Sequence, residues 1–427
     1  MRRRAARAVA CGAVVVGLLA AAADARLGAQ TPARVEFDEA VARAVARNPG
    51  VAQAATAITR AGALLEQART VLRPTVSAAV TNVTFDSERG FSGGVVQPQN
   101  QFTFSASAAV PIVAPLQRAG IDQARDQVDV ATAQVAEVKY RIGVAAAQAY
   151  LGVIAARRQV DVRERALQTA RAHLEFATRR LDAGAGSRLN QLRAAQAVTV
   201  DESELEASRL ALRLAQEALG LVLAADGPID AGREPAFDVP ATIDEATWRA
   251  ARPDVQVQAA MQRAAERILR DSAKDWWPSA TASFDPSVTA PTGLFSPSRT
   301  WRFTVSVSQP VFDGGARRAS RALRSLTLDQ SRIARTDVEL RARSEIRVAA
   351  ESVASLERRL ASARVSASQA AEVMRITSTA FELGATTNLE VIDAQRSARD
   401  AEAIVAFAED AVRRARLDLV IALGRFR

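Results

Sequence analysis

The placement of proline limits this chain more than any other feature. All fifteen prolines lie at or before Pro310, and none falls between Pro115 and Pro228. Residues 116–227 and 311–427 are therefore free of the residue that deletes a helical hydrogen bond and clashes with the preceding turn. Both stretches are rich in Ala, Leu, Arg, Glu and Gln, which are good helix formers. If continuous, segments 116–181 and 317–381 would each reach about 100 Å at about 1.5 Å per residue, longer than any compact domain of this size. Near the C-terminus a seven-residue pattern runs through Val391/Ala394, Ala398/Ala401, Val405/Ala408, Val412/Ala415 and Leu419/Ala422. Apolar residues at that period, with alanine at the second site, predict supercoiled helices in close approach. His173, the one histidine, falls mid-helix among alanines and charged residues and reads as an exposed polar position.

The order of segments repeats at an offset that drifts from 199 to 204 residues. Val71-Leu72-Arg73-Pro74 matches Trp276-Trp277-Pro278, and Val110-Pro111 matches Gln309-Pro310. Leu181-Asp182-Ala183-Gly184 matches Glu382-Leu383-Gly384, and Ala218-Leu219-Gly220 matches Ala422-Leu423-Gly424. Each copy reads helix, strand, loop, strand, very long helix, glycine turn, long helix. The expected organisation is a first repeat over 30–227, with a β-hairpin at 75–110 and a helical hairpin at 116–224. A linker at 228–252 follows, then a second repeat over 253–427, with a β-hairpin at 279–309 and a helical hairpin at 317–424.

Alternation defines the strands. Phe102, Phe104, Ala106, Ala108 and Val110 interleave with Gln101, Thr103, Ser105, Ser107 and Ala109. Trp301, Phe303, Val305 and Val307 interleave with Arg302, Thr304, Ser306 and Ser308, and weaker partners lie near 75–85 and 279–285. One apolar and one polar face suit a membrane barrel enclosing water, and equally a soluble two-sided hairpin. Two hairpins supply four strands, whereas a barrel needs about eight to close its edges. If these strands enter a membrane, several chains must share one barrel.

The N-terminus reads as an export leader, with Arg2, Arg3, Arg4 and Arg7 before an apolar run from Val9 to Ala23. Ala23-Asp24-Ala25 offers a cleavage site that makes 1–25 the leader, and Leu27-Gly28-Ala29 offers a second ending at 29. Cys11, the only cysteine, falls within this leader, so the exported chain carries no thiol for a disulfide or thiolate metal site. Beyond it no run of 18 apolar residues predicts a membrane helix. The net charge of +9 rests on arginine, since Lys139 and Lys274 are the only lysines, and acids are interspersed throughout. That pattern describes solvated helix faces rather than a nucleic-acid surface. With no phosphate loop, metal-ligand spacing or nucleophile motif, the chain does not read as an enzyme, and it implies no cofactor and no metal.

Val35-Glu-Phe-Asp-Glu-Ala-Val through Arg47-Asn-Pro49 resembles the N-terminal helix of TolC-like outer-membrane efflux proteins. Arg252-Pro-Asp-Val255 to Trp277-Pro278 is similar to the start of that family's second repeat, and Gly384 to Gln395, GATTNLEVIDAQ, to its most recognisable turn. The resemblance implies a mostly α fold with a small β part: a homotrimer sharing a twelve-stranded transmembrane β-barrel in outer-membrane lipid, above a coiled-coil α-barrel in the periplasm. A girdle would form from 226–252 and the N-terminal helix. It also implies a passive exit duct for a tripartite pump or type I secretion system, partnered by a periplasmic adaptor and an inner-membrane transporter.

The adaptor would dock on the helical tips at Ala183, Gly184, Ala185, Leu383, Gly384 and Ala385. Glu390 and Asp393 match the acids that narrow the family's periplasmic gate. Spaced by three, they share a helix face. Acids in a first helical turn also favour the positive end of the dipole, which would explain them without a gate. The first repeat departs from the pattern, with Asn190 at the position equivalent to Glu390 and Arg188 rather than an acid in the turn. Thr386 and Asn190 cannot make a charged lock between hairpins, leaving Arg188 to pair with Glu390 or Asp393. The competing reading is an exported coiled-coil scaffold or adaptor without a pore.

Overall fold

The computed structural model describes residues 32–239 and 244–426, so the leader reading lies outside the described residues. The chain opens with β1 (Ala33–Val35), α1 (Phe37–Arg47) and α2 (Pro49–Thr70). Strands β2 (Thr75–Thr84), β3 (Arg89–Phe91), β4 (Gly94–Gln97) and β5 (Asn100–Val113) follow. Then come α3 (Pro115–Asp182), α4 (Arg188–Val222), β6 (Ile229–Ala231), α5 (Glu245–Ala251) and α6 (Pro253–Asp271). The second half ends with β7 (Ser279–Ala290), β8 (Arg299–Ser308), α7 (Ala316–Glu382) and α8 (Asn388–Ala422).

The two proline-free stretches form helices of 68 and 67 residues, α3 and α7, each followed by a 35-residue partner. Pro115 occupies the first turn of α3, where its missing N–H costs nothing. At the start of α7 the Asp313 carboxylate accepts from the backbone N–H groups of Gly315 (3.1 Å) and Arg317 (2.9 Å), capping the helix. Helix α3 packs along α4, α7 along α8, and α3 also against α8, joining the two hairpins. Of the heptad pairs on α8, Val391, Ala394, Ala401, Ala408, Val412, Ala415, Leu419 and Ala422 are buried. Ala398 and Val405 are half-buried. A second buried line on α8, through Ala403, Ala406 and Leu417, faces α3 at Val162 and Leu151.

The core is a string of clusters rather than one body. The largest gathers Ala40 and Ala44 of α1, Ala146, Tyr150 and Val153 of α3, Leu219 and Leu223, and Ile229 and Ala231 of β6. A second gathers Trp248, Val255, Ala342, Ile346, Leu419 and Leu423. Both sit near the midpoints of α3 and α7. The segment from Val35, expected to begin a helix, instead begins in strand β1, which pairs in parallel with β6. Strand β6 and helix α5 lie within the linker 228–252.

Another correction concerns the repeat. Helices α4 and α8 start and end 200 residues apart, so Ala224 (φ +51°), not Gly220, stands where Gly424 (φ +67°) stands. Gly220 serves a different need: a Cβ there would lie 2.3 Å from the Gly227 carbonyl oxygen.

Four strands form one antiparallel sheet in the order β2-β5-β7-β8, with β2 and β8 as its open edges. Strand β7 runs on to Ala290, past the expected 285, so the loop before β8 is shorter than the sequence suggested. Register sorts the side chains cleanly. Val80, Phe104 and Val288 lie opposite one another, as do Val76, Ala108, Phe284 and Phe303. All of the large ones are exposed in the protomer, Phe104 at 53% and Trp301 at 71%. The other face carries hydroxyls, including Thr103 bonded to Thr289 (3.2 Å) and Ser287 to Thr300 (2.7 Å), with the Asp285 carboxylate accepting from Ser107 (2.5 Å) and Ser283 (2.9 Å).

Candidate functional site

Both helical hairpins end in the same joint. Gly184 (φ +73°) and Gly384 (φ +78°) adopt the left-handed conformation that glycine enters without a Cβ penalty. Ala185 N–H donates to the Arg180 carbonyl (2.9 Å) and Gly184 N–H to that of Leu181 (2.9 Å). The second hairpin repeats the pair, from Ala385 to Ala380 (2.8 Å) and Gly384 to Phe381 (3.0 Å), a Schellman closure in each copy. Ser187 and Thr387 then cap α4 and α8, accepting from Asn190 N–H (3.3 Å) and Glu390 N–H (3.4 Å). Ala183, Gly184, Ala185, Leu383, Gly384 and Ala385 are all exposed at this end.

Glu390 and Asp393 are exposed on α8, flanking the buried Val391. Neither carboxylate makes an ion pair within the protomer among the described residues. Arg188, expected to face one of them, instead donates to the Gln191 side chain on its own helix. Asn190 is half-buried, and the Thr386 hydroxyl is buried without a hydrogen-bond partner.

The contact that sequence reasoning missed lies one turn deeper. His173, expected to be exposed, is 8% exposed, and its Nε2 lies 2.9 Å from the Asn388 Oδ1 at the start of α8. The Phe381 ring sits 6.1 Å from the imidazole and 5.7 Å from Phe176. The Arg180 guanidinium stacks 5.2 Å over Phe381 and donates to its carbonyl (3.3 Å). His173, Phe176 and Arg180 fall at i, i+3 and i+7, one helix face, and this spacing was the available signal. Further up, the buried Asp201 carboxylate accepts from Arg399 (2.6 Å), tying α4 to α8. A groove of about 840 Å³ opens between the hairpins there, with Ala170, Val200, Met374 and Ile392 in its wall.

Burial pushes the His173 imidazole below its ordinary value, against the opposing effect of its bond to Asn388. A base with a lowered folded value binds fewer protons folded than unfolded. Its contribution is therefore complete above the usual histidine value of about 6.5 and is lost as pH falls below it. We expect the distance between tips, measured between spin labels at 182 and 386, to broaden between pH 7.5 and 5. In His173→Gln the broadening should vanish, and an identical pH response in that variant would refute the role of the imidazole.

The family model described as Outer membrane efflux protein matches residues 40–225 and again 246–425, one match per repeat. Outer membrane protein OprJ of Pseudomonas aeruginosa is 29% identical over 290 residues, covering 65% of this chain and 60% of that protein. Among solved structures, the outer membrane protein VceC of Vibrio cholerae superposes with a TM-score of 0.75 at 17% identity, covering 91% of this chain and 96% of that one. The CmeC outer membrane channel of Campylobacter jejuni superposes at 0.76 with 15% identity, covering 91% and 85%. These structures share the fold, and the doubled match over nearly all of both repeats assigns the chain: it belongs to the outer membrane efflux protein family.

Proposed function

We propose that this chain is the outer-membrane channel and exit duct of a tripartite export system, a homotrimer conducting passively from a periplasmic adaptor and an inner-membrane transporter to the outside. One observation carries the reading. The sheet has an exposed apolar face, a hydroxyl-lined face and two open edges, β2 and β8. In lipid every backbone group must be paired, so four strands need further strands to close. Three chains supply twelve. A pore-less scaffold gives no reason for an exposed face bearing Val76, Val80, Phe104, Phe303 and Trp301. The family consists of non-enzymatic transport proteins. Sedimentation in detergent should find a trimer extracted from outer membranes, and a stable water-soluble monomer would restore the scaffold reading.

The repeats at 30–227 and 253–427, joined through 228–252, are the units of this duct, with the exposed turns at Gly184 and Gly384 as the adaptor's docking points. At the same tips, threefold symmetry turns Glu390 and Asp393 into stacked rings of carboxylates. Like charges converging on an axis hinder joint ionisation and attract multivalent cations. Their exposure, and the absence of an ion pair to either carboxylate among the described residues, support this role. The double variant Glu390→Ala/Asp393→Ala should lower cation selectivity in planar bilayers and weaken block by trivalent cations about tenfold. Unchanged selectivity and block in an intact trimer would reassign both acids to the helix dipole.

A further inference from the structure

At the end of the sheet that runs into the helices, the apolar face does not stop at the last strand residue. Val71, Trp277, Val311 and Phe312, outside the strands, and Ile112 near the end of β5 are all exposed at this level, Phe312 at 88%. The Trp276 ring beside them is covered by the Arg317 guanidinium at 4.1 Å. Contacts hold this level together: Gln309 donates to the Trp276 carbonyl (2.8 Å), Arg324 to Asp275 (2.8 Å) and Gln123 to Asp271 (3.1 Å).

Immediately below, cations outnumber acids, and the acids are already engaged. Glu66 pairs with Arg69, Asp122 with Arg125, Asp271 with Lys274, Asp275 with Arg324 and Asp313 with Arg317. Arg73, Arg118, Arg270, Arg318 and Arg321 are left exposed, with no ion pair among the described residues. The opposite rim, residues 85–98 and 291–298, carries only Asp86, Glu88 and Arg89. The basic surplus thus belongs to one end of the sheet.

We propose that this end is a binding surface for anionic phospholipid headgroups. The five free arginines of each protomer hold phosphates of the periplasmic leaflet, beneath the collar of apolar and aromatic side chains that enters the acyl region. The guanidinium presents paired N–H donors that match phosphate oxygens, and aromatic rings settle at the boundary between headgroup and hydrocarbon. Basic side chains at a membrane surface attract anionic lipid additively and within about a Debye length. The inference rests on the channel reading, because it needs the apolar face of the sheet to lie in lipid.

The test uses the full-length trimer, incubated with an equimolar mixture of phosphatidylglycerol and phosphatidylcholine and examined by native mass spectrometry. Retained phosphatidylglycerol should exceed phosphatidylcholine at least tenfold and lose that excess as salt is raised. Exchanging all five arginines for glutamine should bring the ratio near parity, and Arg318→Gln with Arg321→Gln alone should lower it severalfold should the fivefold variant not assemble. Parity in the unaltered trimer, or an undiminished excess in an assembled variant, would overturn the proposal. Displacement of the lipid by inorganic phosphate at equal concentration would also overturn it, marking a site for free anions. Failure of the channel reading is separate: sedimentation would show a monomer whatever the lipid.

Discussion

Arginine in place of Phe104 should abolish outer-membrane assembly, whereas arginine at the adjacent Ser105 should leave it intact. Phe104 lies at the middle of the pairing between β2 and β5, between Val80 and Val288 on the apolar face. Ser105 lies between Ala79 and Ser287 on the hydroxyl face. A charge on the lipid side of a barrel costs about 2–4 kcal/mol at the midplane, so a trimer incurs about 6–12 kcal/mol, comparable to a whole domain's stability. On the water side the same side chain keeps its hydration. The readout is the fraction of heat-labile trimer in outer-membrane extracts. Equal tolerance of the two substitutions would mean that the sheet faces are not divided between lipid and water.

Asp230→Ala should give the largest loss in the equatorial region. This carboxylate on β6 accepts from Gln216 (3.0 Å), from Arg34 on β1 (3.3 Å) and from Arg157 on α3. Burial works against its charge, and the bonds from Arg157 and Gln216 outweigh it, holding the carboxyl below the ordinary carboxylate range. Removing one member of a buried pair costs about 3–5 kcal/mol, because the other charge is stranded. With the Arg157 side chain 28% exposed, the lower end of that range applies. The Arg34 side chain is 72% exposed and contributes little. A carboxyl with a lowered folded value stabilises above its unfolded value of about 3.9, and the effect is lost as pH falls through the folded one. Asp230→Ala should therefore lower the unfolding temperature at pH 7 by several degrees and narrow its difference from the unaltered protein in strong acid. A shift under one degree at pH 7 would show that β6 is held by its apolar neighbours alone.

How much of this was legible in the sequence depends on the range of each signal. Helices α3 and α7 announced themselves because sixty-odd residues without proline, rich in helix formers, leave the backbone few alternatives. The strands did so through a period of two that no helix satisfies. His173 did not, because its burial depends on Phe381 and Asn388, more than 200 residues away, while its own stretch of helix mixes alanines with charged residues. The parallel pairing of β1 with β6 is likewise a contact between three-residue segments too short for any periodicity. Ala224 was overlooked for another reason: alanine in the left-handed region is uncommon, and the nearby Gly220 offered a more familiar match. At the tips, the sequence marked the turns through their glycines, while Arg188 took the nearest acceptor on its own helix, Gln191, which spacing by three puts within reach.

The string of clusters has a mechanical consequence. From Ile154, the last residue of the equatorial cluster on α3, to Asp182 the helix runs 28 residues, about 42 Å. That arm is pivoted on closely packed alanines and ends at the exposed turn of Gly184. A tilt of about 5° at the pivot sweeps its end through about 4 Å, on the order of one side chain's width and within the scatter of ordinary helix packing angles. The arm amplifies small repacking at the fulcrum into a displacement at the tip, and no hydrogen bond within the helix has to break.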